Sequence, residues 1–143
     1  MVFPFVIVLE QKVKITDPFK AFTMIQDYLR TKSVDDFYKT GETIKFKKGL
    51  FVLNTNVFAI IDKGEFELAE HNQEYKLIYR FYLLRFFITS LMMSIDIGLK
   101  SMRPIVGIIA FLILYIGNFI TCCIRQQCVI DELVNKIDKA NNK

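Results

Sequence analysis

Residues Pro104–Ile124 read PIVGIIAFLILYIGNFITCCI, 21 residues without a charge. As a helix rising 1.5 Å per residue this stretch can cross a hydrocarbon core of about 30 Å. A soluble protein would have to bury it on all sides. A chain of 143 residues leaves too little other material to do so. The stretch is therefore expected to span a membrane.

Working outward, Phe81–Leu99 is also apolar but contains Arg85 and Asp96, both near its ends. Arg can snorkel to the headgroups, and a carboxylate at the boundary can reach water. Only Lys100-Ser101-Met102-Arg103 separates the two stretches, so they are expected to form a hairpin of antiparallel transmembrane helices. Ser90, Ser94 and Gly98 recur every four residues on the first helix. Gly107, Ala110, Gly117 and Thr121 fall on one stripe of the second, with Asn118 beside it. Small residues at such spacing let membrane helices approach closely, so these eight are the expected helix–helix interface. Arg85, Asp96, Lys100, Arg103 and Arg125 are the expected membrane-boundary charges, with Asp96 and Lys100 an i,i+4 pair.

After the second helix, 125–143 resumes a helical period. Ile130, Leu133, Val134 and Ile137 form an apolar stripe, and Glu132 and Lys136 are spaced as an ion pair. This tail is expected to continue the second membrane helix and to present its stripe to a partner. The soluble domain and the lipid surface are the other candidates to cover it.

The N-terminal half is different. Phe5, Ile7, Leu9, Val13 and Ile15 alternate with Glu10, Lys12 and Lys14, as in a half-buried strand. Asp17-Pro18 reads as an N-cap followed by proline at the first helical position. Phe19, Phe22, Ile25, Tyr28 and Leu29 then mark an amphipathic helix over Pro18–Thr31. Ser33–Gly41 is polar, with a short helical turn expected at Val34–Tyr38. Apolar runs at Thr43–Leu53, Val57–Asp62, Glu65–Glu70 and Glu74–Leu83 read as strands. Their separators are Asn54-Thr55-Asn56, Lys63-Gly64 and His71-Asn72-Gln73. The expected fold is thus a small α+β domain, a β-α-β-β-β-β meander over 1–80. Transmembrane helices over 81–99 and 104–124 and the amphipathic tail follow. This opening resembles helix-grip lipid-binding domains, but those close with a long C-terminal helix over the sheet. Here the last strand is expected to lead into the membrane instead.

Charge supports this division. Residues 1–74 hold 10 Lys/Arg against 11 Asp/Glu, and 75–143 hold 9 against 4. The excess in the apolar half suits anionic lipid headgroups; nucleic acid would want a basic stripe on the folded domain. Lys76, Arg80, Arg85, Arg125, Lys136 and Lys139 flank the open ends of the hairpin, against Lys100 and Arg103 in its loop. That bias puts both termini in the cytoplasm. The apolar start, Met1–Leu9, has neither the basic flank nor the cleavage site of a signal peptide.

Chemistry is sparse. His71 stands alone in a turn. No serine, cysteine or lysine sits in a nucleophile motif, and no glycine-rich loop matches a phosphate cradle. Asp35-Asp36 reads as a solvated turn. Cys122, Cys123 and Cys128 form neither a disulfide framework nor a four-ligand zinc site, and no cofactor or metal is expected. Arg85 and Asp96 read as anchors before any transport role, since two helices cannot enclose a conducting path. The expectation is a non-enzymatic accessory or assembly subunit of a larger membrane complex, in a bacterial inner membrane. A membrane-tethered lipid- or ligand-binding module and an oligomerising toxin or pore former are the alternatives.

Overall fold

The computed structural model describes residues 6–32, 34, 36–47, 61–71 and 74–141. Strand β1 (Val6–Val13) is followed by helix α1 (Pro18–Thr31). Strands β2 (Phe37–Thr40), β3 (Thr43–Lys47), β4 (Lys63–His71) and β5 (Glu74–Tyr82) come next, and then helices α2 (Leu84–Lys100) and α3 (Pro104–Asn141). The strands form one antiparallel sheet in the order β1-β5-β4-β3-β2. The last strand of the meander thus pairs with the first strand of the chain.

Helix α1 begins as its sequence dictates. The Asp17 carboxylate accepts the backbone N–H of Phe19 at 2.9 Å and of Lys20 at 3.5 Å, with Pro18 at the first helical position. Its buried residues, Ala21, Phe22, Ile25, Tyr28 and Leu29, face the sheet. The sheet meets them with alternate residues of each strand, among them Ile44, Phe46, Phe66, Leu68, Leu77, Tyr79 and Phe81. Phe46, Phe66 and Tyr79 stack on one another across neighbouring strands, and Phe81 tilts against Tyr79.

The strand pattern differs from expectation in several places. The helical turn anticipated at Val34–Tyr38 is replaced by β2 from Phe37, hydrogen-bonded to β3. Gly41, with a left-handed φ of 59°, makes the tight turn between them. Lys63-Gly64, read as a separator, lies inside β4. A side chain at Gly64 would collide with the Phe46 ring opposite it, so this glycine serves aromatic packing and not a turn. Of the strand anticipated over Val57–Asp62, residues 57–60 lie outside the described residues, as do 48–53 of Thr43–Leu53. Ile61 and Asp62 are not in a strand.

The first helix of the hairpin also differs. Phe81 and Tyr82 belong to β5, so the first helix starts at Leu84 and has 17 residues. Helix α3 is a single element of 38 residues and joins the apolar stretch to the tail without a break. It is the one helix, among the described residues, long and apolar enough to cross a membrane, with a mean hydropathy of 2.4 over its best window. The chain therefore does lay a long C-terminal helix on the sheet, but only after the α2–α3 excursion. Val129, Ile130, Leu133, Val134 and Ile137 of α3 lie in the same core as α1 and the sheet.

Candidate functional site

The chain's distinctive surface is the α2–α3 hairpin. Where α2 leaves the sheet, Leu83 offers no capping side chain. Asp62 fills the role from outside: its carboxylate accepts the Arg85 N–H at 2.9 Å and lies 3.8 Å from Arg85 Nε. At the far end Asp96 and Lys100 pair at 2.6 Å.

Two contacts of different kinds hold the helices together. Near the tip, Ser90, Ser94 and Gly107 are buried, and Gly98 faces Gly107. A Cβ at Gly107 would lie 2.9 Å from the Ser94 carbonyl oxygen and 3.1 Å from Gly98 Cα, so the backbones meet where the small residues permit. Beside this crossing runs an apolar groove of about 640 Å³, lined by Leu91, Ile95, Leu99, Ile108 and Phe111 among others. Nearer the sheet the interface is aromatic. Tyr115 stacks on Phe86 and Phe111, meets Phe87 edge-on, and tilts against Phe119. The small-residue reading missed this cluster, although Phe111, Tyr115 and Phe119 are spaced i, i+4, i+8 and could have signalled it.

The expected second-helix stripe is therefore split. Gly107 packs on α2 and Ala110 is half-buried, whereas Gly117, Asn118 and Thr121 face outward. A Cβ at Gly117 would meet nothing within 4 Å. Asn118 donates to the Leu114 carbonyl at 2.7 Å and Thr121 to the Gly117 carbonyl at 2.9 Å, both within their own helix. The physical reason is rotation. From Gly107 to Gly117 is ten residues, about 2.8 turns, which carries the stripe partly round the helix.

The outward surface of the hairpin is otherwise largely aliphatic. Ile88, Met92, Met93, Ile95 and Leu99 of α2 and Ile105, Ile108, Ile109, Ile113, Ile120 and Ile124 of α3 are exposed. The apolar stretch of α3 is only 11% buried, so it is not the core helix of a soluble domain.

The tail is different, and here the anticipated partner face is corrected. Ile130, Leu133, Val134 and Ile137 are each 4% exposed or less, covered by the chain's own α1 and sheet. Polar contacts fix the docking. Tyr79 donates to Gln126 Oε1 at 2.9 Å inside the core, and Tyr28 donates to Glu132 Oε2 at 2.9 Å. Asp138 accepts the Lys14 N–H at 2.9 Å, and Asn141 donates to the Lys14 carbonyl at 2.5 Å. Burial pushes the Tyr79 hydroxyl well above its ordinary pKa. Burial, and then the Glu132 charge, does the same to Tyr28. Glu132 sits below the usual carboxylate range because Tyr28 and Lys136 hydrogen-bond its charged form.

Of the boundary charges, Arg85, Arg103 and Arg125 are exposed. Cys122 is buried, Cys123 half-buried and Cys128 exposed, all three as free thiols. Among the described residues no group of three His, Cys, Asp or Glu side chains is placed to hold a metal ion. Compared with known protein families, curated proteins and solved structures, the chain matches none.

Proposed function

We propose that α2 and α3 insert together into a membrane as a helical hairpin, and that the chain is a non-enzymatic accessory or assembly subunit of a larger membrane complex. The observation that carries the reading is the hairpin surface itself. Its exposed side chains are mostly aliphatic on both helices, with Thr89, Asn118 and Thr121 the polar exceptions between its ends, while its charges, Arg85, Asp96, Lys100, Arg103 and Arg125, stand at its ends. At 17 residues α2 is at the short end of spanning lengths, and its packing against α3 compensates. The bias of basic residues favours the sheet domain and tail on the cytoplasmic side.

The accessory role draws support from the outward group Gly117, Asn118 and Thr121. A polar amide in hydrocarbon is costly to leave on lipid, and a neighbouring helix of a complex would cover it. The tail's apolar stripe is buried within the chain and is not open to a partner. The ligand-module alternative is weakened for a parallel reason. The space between helices and sheet is filled by Phe46, Phe66, Tyr79 and Phe81.

Mild-detergent extraction at native expression, followed by mass spectrometry of co-purifying proteins, tests the proposal. Foreign subunits at fixed stoichiometry support it. A bound lipid without other proteins favours the tethered module, and a homo-oligomer favours the pore former. Replacing Asn118 by Leu should release the foreign subunits while leaving the chain in the membrane.

A further inference from the structure

We propose that the end of the sheet from which the hairpin departs binds the phosphodiester headgroups of anionic phospholipids, through Lys47 and Lys63. The inference rests on the membrane reading above and names the lipid chemistry its nearest leaflet would supply.

The outer face of the sheet, opposite the helices, is laced with matched charges. Lys12 pairs with Glu74, Lys45 with Glu65, Lys76 with Glu10 and Arg80 with Glu67. The last row breaks this pattern. Lys47 stands directly opposite Lys63 across β3 and β4, and Lys63 stands opposite Tyr82 on β5. Like charges in direct register oppose each other and weaken a sheet. Lys63 Nζ lies over the Tyr82 ring, 4.0 Å from its centroid. Among the described residues no carboxylate makes an ion pair with Lys47 or Lys63: Asp36, just before β2, accepts the Lys47 N–H through its backbone carbonyl at 3.0 Å and not through its carboxylate, and residues 48–60 contain no Asp or Glu. Asp62, adjacent to Lys63, is engaged with Arg85. Both lysines are exposed.

Position gives this row its meaning. Tyr82 is the last residue of β5, and α2 begins at Leu84. On α3 the charge-free stretch ends at Ile124, two residues before Gln126 bonds Tyr79 of the same strand. The unmatched lysines therefore lie at the end of the sheet where both apolar helices leave it. Once the hairpin is inserted, this is the level of the headgroups. Tyr82 is a residue type suited to that boundary, and lysine stems can extend to reach phosphates. Anionic lipid would relieve the Lys47–Lys63 repulsion, which no ion pair among the described residues relieves.

The test uses the full chain in lipid nanodiscs of equal parts phosphatidylcholine and phosphatidylglycerol, with native mass spectrometry reading the lipids retained. The wild type should keep phosphatidylglycerol in preference to phosphatidylcholine. Lys47→Gln with Lys63→Gln should lose that preference by about fivefold per lysine. Lys12→Gln with Lys45→Gln, which removes matched lysines of the same face, should keep it. A wild type without preference, or a Lys47→Gln/Lys63→Gln variant that retains it, overturns the proposal. Flotation with phosphatidylcholine vesicles separates the two readings. A chain that floats yet shows no preference refutes only the headgroup site. A chain that does not float refutes the membrane reading, and this site with it.

Discussion

Tyr79 on β5 donates a buried hydrogen bond of 2.9 Å to Gln126 on α3, two residues past the last apolar residue of the charge-free stretch. Both side chains are fully buried. The bond lies where α3 passes from the hairpin onto the sheet, so it couples the position of the apolar helix to the sheet domain. A chain of soft contacts would let the two halves swivel; a buried polar pair in a close-packed core fixes one arrangement.

Removing one member of that pair should therefore cost more than removing both. Tyr79→Phe deletes the hydroxyl and leaves Gln126 Oε1 without this donor in the core, at about 1–3 kcal/mol. Gln126→Met strands the hydroxyl at a similar cost. The double variant should be more stable than the sum of the singles predicts. Thermal unfolding by circular dichroism in detergent gives all four corners of the cycle. Strictly additive losses would mean that the pair does not act as a unit.

Gly107 and Gly117 should behave oppositely. A methyl at Gly107 meets the Ser94 carbonyl oxygen at 2.9 Å and Gly98 Cα at 3.1 Å, both backbone atoms that cannot swing away. Gly107→Ala should destabilise the hairpin by about 1–3 kcal/mol, as overpacking does elsewhere. Gly117→Leu meets nothing within 4 Å and should leave the isolated chain's unfolding unchanged. The readout is the denaturation midpoint in detergent. A larger loss at Gly117 than at Gly107 would place the helix interface on the wrong face.

Glu132 should make the docked tail sensitive to acid. Its carboxyl is held below the usual range first by the Tyr28 hydrogen bond and next by Lys136, with Lys32 also near. A carboxylate depressed on folding adds stability above its unfolded pKa, about 4.3, and loses it as pH falls through the folded value. The melting temperature should thus drop between neutral pH and pH of about 3, and Glu132→Gln should flatten part of that drop. Tyr28 works at the other end. Its pKa is raised, so its contribution is complete below about 10 and is lost as alkali ionises it. Glu132→Gln curves that parallel the wild type across acid pH would show that this cluster does not titrate with folding.

Much of this architecture was legible in local sequence. The Asp17-Pro18 start, the α1 periodicity and the charge-free run each depend on neighbours within a turn or two, and each appears where the pattern put it. What escaped depends on partners distant in sequence. Gly64 looks like a turn until Phe46 is brought across from β3. Phe37-Tyr38-Lys39-Thr40 carries no alternation of its own and becomes a strand by pairing with β3. The small-residue stripe held at Gly98 and Gly107 but not at Gly117, because the aromatic cluster around Tyr115 decides which face of α3 turns to α2 nearer the sheet. The tail's stripe was visible as a face needing cover. Nothing local could say that α1 and β1, more than 100 residues earlier, would supply it.

That burial makes the tail the sharpest discriminator between a folded unit and a loose appendage. Leu133 and Ile137 are 0% and 1% exposed, and both lie in the core shared with α1 and the sheet. Replacing both by Ser removes two large aliphatic groups, at about 2–5 kcal/mol each for truncation, and leaves hydroxyls to be satisfied in their place. For a small domain that total rivals its whole stability. The sheet domain should therefore become protease-sensitive and lose its cooperative thermal transition. Membrane insertion should persist, because the apolar stretch Pro104–Ile124 is untouched. Limited proteolysis of membranes carrying the variant, followed by carbonate extraction, reads both at once. Rapid cleavage within 1–80 with the hairpin fragment still in the pellet is the expected result. A variant whose domain resists protease as the wild type does would mean that the tail is not part of the core, and that its stripe is free for a partner after all.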